Sequence, residues 1–415
     1  MSGSNIRLSF VSKPFIVSAV IFAFAGSIIG SFWLMSQLGA DLVFAHSSFP
    51  LHKIFQVDGF LTLLVMGVGY MIVPRFRNVH LSSVRLVYAS FVLIVFSIAA
   101  SIVSTFANDA LSLLRSFTQF VGTSIFSAIT IWTLKIRPRL LRTADYFIAL
   151  SIIVLLATNL LQLLSQIGRE NGNPLTAVQI LLLFAILMVF GVEYKTLPSF
   201  LGFIKPRKRL SVVSFGLAVA SVILGIASIL YPHLLLAETF NGVMLSFVVA
   251  FAAAVYIFGG FDNSEILRLI QGEKKARYEY IVRHLRLAFV FLSAGIILAF
   301  TFNISNSYIL YDLAIHYTAI GYIGITVALY LPLMLPPITG RMVNFTRLNG
   351  LPLFLLLAAL AIRTSGDIAM TIQLVTIPAS YLFLTSGWLV VAALFAFITN
   401  IHKSMDRMKI ISDTS

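Results

Sequence analysis

The chain has 415 residues, 59% of them hydrophobic and only 11% charged, with a formal charge of +14 and no cysteine. At a mean hydropathy of +0.98 it has too little polar surface to cover a globule in water, so its solvent is lipid. Lack of cysteine excludes disulfides, thiolate metal sites and iron–sulfur clusters.

In hydrocarbon only helices and closed barrels satisfy their own backbone groups, and each spanning helix takes about 20 mostly apolar residues. The apolar runs here are long and lack strand alternation. They predict an all-α bundle of twelve transmembrane helices at about 14–37, 51–74, 83–105, 110–134, 143–167, 174–202, 211–231, 235–258, 280–302, 306–336, 350–371 and 374–400. The chain start runs directly into helix 1 without a cleavage site and is expected to be retained. No second domain is apparent: residues 1–415 read as one integral membrane domain. Its longest connection, about 259–279, carries Glu265, Arg268, Glu273, Lys274 and Lys275 and reads as a solvated cytoplasmic segment.

Lys and Arg gather in cytoplasmic loops. All but five of the 29 fall in the tail before helix 1, the even-to-odd connections or the final tail, as with Arg75 and Arg77, Lys135, Arg137, Arg139 and Arg142, or Lys205 to Arg209. Both termini are therefore expected inside a cell membrane. The positive charge has this topological meaning, with attraction to lipid headgroups added, and nucleic acid is not needed to explain it. The five exceptions are Lys53, Arg115, Arg169, Lys195 and Arg363. Lys53, Arg115 and Arg363 lie at the outer ends of helices 2, 4 and 11, where they either snorkel to headgroups or hold an anionic ligand.

An internal repeat organises the helices. Helix 2 ends Gly67-Val68-Gly69-Tyr70-Met71-Ile72-Val73-Pro74, and helix 6 ends Gly191-Val192-Glu193-Tyr194-Lys195-Thr196-Leu197-Pro198. Tyr330, Pro332 and Pro336 close helix 10 with a weaker echo. Helices 2, 6 and 10 then become equivalent members of three four-helix arcs.

Of seven histidines, His46, His80, His233, His284 and His402 read as loop, helix-end or tail residues. His52 and His316 lie within equivalent helices, and ionisable residues there are expensive enough to mark sites. Counted back from Arg75 and Arg341, they differ in height by about 3 Å at the rise of an α-helix. Two imidazoles at matched depth on facing helices are what a six-coordinate heme iron needs. Lys53, Arg115 and Arg363 would then neutralise its propionates. Packing or a proton path are the other readings of these histidines.

Helix 2, HKIFQVDGFLTLLVMGVGYMIVPRF from His52 to Phe76, resembles the low-spin-heme helix of heme-copper oxidase catalytic subunits, especially the cbb type, with Gly59-Phe60 placed as that family places a Gly-Phe pair. Helix 10, HYTAIGYIGITVALYLPLMLPPITGR from His316 to Arg341, is similar to the matching oxidase helix through Gly321-Tyr322. The resemblance implies a subunit I-like bundle with a retained low-spin heme b. It departs where the family binds a second heme and copper: the first histidine of the His-x-His pair is replaced by Ala314, and Phe190 to Tyr194 on helix 6 contain no histidine. Copper and oxygen reduction are therefore not expected. The chain also resembles the NnrS family of membrane heme proteins linked to nitric oxide response, where His284 corresponds to a further histidine and a less favoured metal ligand.

Asp58, Glu193 and Lys195 are candidates for a proton path, or for buried polar contacts; Asp312, one turn before His316, is a candidate to orient that ring. The expected function is that of a b-type cytochrome with one heme ligated by His52 and His316, passing electrons from a quinol or a redox subunit. The alternatives are NnrS-like nitric oxide handling and a twelve-helix secondary transporter. The transporter fits less well, because its usual long connection follows helix 6 and here it follows helix 8.

Overall fold

The computed structural model describes residues 3–37, 45–106, 111–136, 142–166, 174–260, 269, 271–339, 343–344, 348–371 and 377–405. Arg137, Arg139, Arg169, Glu265, Arg268 and Arg341 lie outside these residues, as does the side chain of His46. Among the described residues twelve helices are long and apolar enough to cross a membrane, and there is no sheet, only an isolated bridge between Val343 and Met405.

The first arc begins with α1 (Gly3–Gln37). Span 2 then has three parts: α2 (Ala45–Lys53), a nine-residue π-helix (Ile54–Thr62) and α3 (Leu63–Arg77). The arc closes with α4 (Val84–Phe106) and α5 (Ser112–Lys135). The second comprises α6 (Thr143–Ser165), α7 (Pro174–Phe200), α8 (Lys208–Leu230) and α9 (Leu234–Ala254). The third opens with α10 (Gly272–Ser305). Span 10 again has three parts, α11 (Tyr308–His316), an eight-residue π-helix (Tyr317–Gly324) and α12 (Ile325–Thr339), followed by α13 (Leu351–Thr371) and α14 (Ile377–Ser404). Helix α10 starts earlier than its apolar run: Glu273 to Glu279, read from sequence as loop, form its first turns.

Span 2, α7 and span 10 form the centre. Their apolar windows are 83%, 78% and 61% buried, against 28–56% for the other nine spans. The three line one small cavity between them, of about 70 Å³. Three helices meeting on an axis are what the threefold repeat implies, and each brings along the helices that follow it in sequence.

The two π-helices were not legible in the sequence. Each begins within two residues of a histidine, His52 or His316. Thr62 stabilises the wider turn by donating from Oγ1 to the carbonyl of Val57, five residues back, at 3.0 Å. A π turn changes the direction of every side chain that follows it and is frequent at functional sites. Both spans carry one just after the histidine. Many buried hydroxyls elsewhere bond within their own helix, as Ser101 does to Ser97 O and Thr123 to Gln119 O, which suits helices surrounded by lipid.

Candidate heme site

A cavity of about 1310 Å³ opens between α1, span 2, span 10, α13 and α14 and extends toward the end of α6 and the start of α7. Both His52 and His316 line it. Its walls are mainly apolar, including Val20, Leu34, Phe60, Ile315, Leu356 and Val390. The volume exceeds the roughly 300–1,000 Å³ of ordinary single-ligand pockets, which leaves room for a large planar group.

Each histidine is oriented by a carbonyl. His52 Nδ1 lies 2.8 Å from Gly26 O on α1, and His316 Nδ1 lies 2.8 Å from Asp312 O. A carbonyl oxygen can only accept, so Nδ1 carries a proton in both rings and the neutral ring has its lone pair on Nε2. That is the tautomer and the outer contact of a metal-ligating histidine. Helix α1 comes this close because it carries Gly26-Ser27-Ile28-Ile29-Gly30; a Cβ on Gly30 would fall 2.5 Å from His52 Nδ1. Gln56, one turn after His52, ties the same helices by donating to Ala23 O and Ser27 Oγ, both at 3.1 Å. The Gly-x-x-x-Gly spacing on helix 1 is a known signal of close helix approach and could have identified Gly26 and Gly30 from sequence.

The other candidates divide. Lys53, Arg115 and Arg363 all line the cavity. Lys53 is exposed and Arg115 half-buried, and Arg115 Nε has no hydrogen-bond partner. Arg363 is buried and already engaged: Nε donates to Asp312 Oδ2 at 2.6 Å and Nη2 to Oδ1 at 2.7 Å. Asp312 in turn places Oδ1 3.3 Å from His316 Nδ1. The contact of Arg363 is thus with the residue that orients the imidazole. Asp58 lines the cavity and accepts from Gln119 Nε2 at 2.8 Å.

Glu193 and Lys195 are not brought together. Glu193 is fully buried beside the small central cavity, and neither carboxyl oxygen has a hydrogen-bond partner. Lys195 points to span 2, donating to Phe76 O at 3.3 Å and capping the Phe76 ring at 3.9 Å. His284 lies on α10 away from the large cavity, its Nδ1 on Tyr280 O at 2.8 Å and its ring against that tyrosine.

The space between the second arc and α10 and span 10 is filled instead. Phe147, Phe190, Phe247, Phe251, Phe289 and Tyr322 are all fully buried. Phe190 stacks on Phe251 with centroids 3.6 Å apart and on Phe289 at 5.6 Å. Ala314 is buried among Leu175 and Ala299.

With this geometry in place, the architecture is that of heme-copper oxidase subunit I. A heme-copper terminal oxidase, a dimer determined by cryo-electron microscopy, matches 97% of this chain and 84% of its own with a TM-score of 0.64 at 14% identity. At that identity the likeness is one of fold. No family model and no curated protein matches the sequence. The arrangement is not the pair of six-helix halves that a major-facilitator transporter would have.

Proposed function

We propose that the protein is a membrane-bound b-type cytochrome that holds one low-spin heme between His52 and His316 and passes single electrons. One observation carries this reading: two imidazoles line one large apolar cavity, each with its Nδ1–H committed to a carbonyl and its Nε2 left for a metal. The residues fit the group. His52 and His316 would be its axial ligands, Lys53 and Arg115 would meet its propionates, and Gly30 allows His52 to seat against α1. A bound heme b supplies a one-electron couple whose potential follows ligation, burial and nearby charge. The chain's own part is to orient the two rings, keep water from the apolar walls and neutralise the acidic edge.

The aromatic rings packed around Phe190 fill the space between α7, α9, α10 and span 10, which supports the reading of a single macrocycle. Oxygen reduction is accordingly not part of this reading. The electron donor would be a quinol or a redox subunit in the same membrane, and the termini would lie on the cytoplasmic side, following the charge bias. Asp58 would accept or release protons beside the site, while Glu193 and Lys195 would do so nearer the cytoplasm. The experiment is direct: the chain purified after growth with ample heme should be red, with a reduced b-type spectrum that His52→Ala and His316→Ala abolish. Nitric oxide binding to the fully ligated protein would favour the NnrS-like alternative, since it needs a displaceable axial ligand.

A further inference from the structure

The two histidines look alike in sequence and sit in unlike electrostatic settings. His52 has a neutral acceptor, Gly26 O, and near it the neutral amide of Gln56. His316 Nδ1 donates to Asp312 O at 2.8 Å and has the carboxylate oxygen Asp312 Oδ1 beside it at 3.3 Å. Asp312 is buried, as is Arg363, which grips both of its carboxylate oxygens. Oδ1 therefore accepts from a guanidinium and lies close to an imidazole. Asp367, one turn along α13 from Arg363, is buried in the same cluster, and Arg363 also faces the Phe383 ring at 5.0 Å.

We propose that Asp312 is a positioning residue that strengthens His316 as an electron donor to the iron, with Arg363 setting how much of the carboxylate charge reaches the ring. The proposal rests on the heme reading above. A carboxylate charge close to Nδ1–H favours positive charge on the ring and raises the basicity of Nε2 beyond what the peptide carbonyl that accepts the proton does alone. A more basic ligand favours the ferric state and lowers the potential. Arg363 acts in the opposite sense, drawing charge from Oδ1 and holding the carboxylate in one rotamer through a bidentate, charge-assisted contact. A tie between α11 and α13 alone would not require ions: a buried pair inside a membrane protein is expensive to assemble, and hydrophobic replacements often match it in stability. The site thus has one neutral-backed and one carboxylate-backed ligand.

The test is the equilibrium reduction potential of the heme-loaded, purified full-length protein, read optically, with low-temperature electron paramagnetic resonance of the ferric form. Asp312→Asn keeps the shape and removes the charge. The reduction equilibrium should move toward the ferrous form by about tenfold, or about 59 mV for one electron, with the ferric g-values displaced and the heme retained. Arg363→Gln should move it the other way. If Asp312→Asn fails to load heme, Arg363→Gln decides alone. An unchanged potential in the variants, or shifts of equal sign, overturns the proposal and leaves the heme reading intact. A wild-type chain without heme overturns the heme reading instead.

Discussion

The two sides of this bundle use the same raw material in opposite ways. Where α6, α7 and α9 meet α10 and span 10 the chain closes on itself, with six buried aromatic rings packed from Phe147 to Tyr322. Between span 2 and span 10 it leaves a cavity of about 1310 Å³ whose polar groups are oriented before any ligand arrives. Both regions are lined by apolar residues on repeat-equivalent helices. What separates them is the small set of residues that keep the second one open: Gly30 where a side chain would collide with His52, and a histidine on each facing span. The filled side stabilises the fold, and the open side is free to bind.

That contrast can be broken at several points. The largest effect is expected from His52→Ala or His316→Ala, each of which should abolish heme incorporation while leaving the helical circular-dichroism signal of the bundle in place. Loss of fold in both would make the histidines structural. Phe190→Ala, on the filled side, should lower stability by about 3–5 kcal/mol, measured by thermal unfolding in detergent, with the visible spectrum of the folded fraction unchanged. Gly30→Ala should act in the reverse manner. Its added Cβ displaces the His52 ring from Gly26 O, so heme affinity should fall by about 10–100-fold, as for other outer partners of metal ligands, with thermal stability of the heme-free protein little altered. Lys53→Ala and Arg115→Ala should be the mildest, each weakening heme retention by about 1 kcal/mol or less, in the range of partly solvated ion pairs, and the loss should diminish with added salt.

Much of this was legible in the sequence because lipid is a strict solvent. Apolar run length fixed the twelve spans, and the shared endings at Tyr70-to-Pro74 and Tyr194-to-Pro198 pointed to helices 2, 6 and 10 as equivalents, which the fold places at its centre. Ala314 and the lack of a histidine from Phe190 to Tyr194 marked where the chain departs from the oxidase pattern. The rest depends on contacts between distant segments. Nothing local to His52 names Gly26, and nothing local to Arg363 names Asp312, 51 positions away. Arg363 looked like a third cation for an anionic ligand, and only the packing of α13 against α11 reveals its contact with Asp312. The π-helices were hidden for a different reason: composition does not distinguish an i→i+5 turn from an α turn, and Thr62 acquires meaning only when its hydroxyl is seen on Val57 O.

The central claim is that His52 and His316 hold one heme in the open side of the bundle. Its most direct test is the heme content and ferric spin state of the purified wild-type chain after expression with ample heme. The account predicts one heme b per chain, six-coordinate and low-spin, in a protein that keeps its twelve-helix fold. A folded, monodisperse preparation with no heme, or with a five-coordinate high-spin heme, would contradict it.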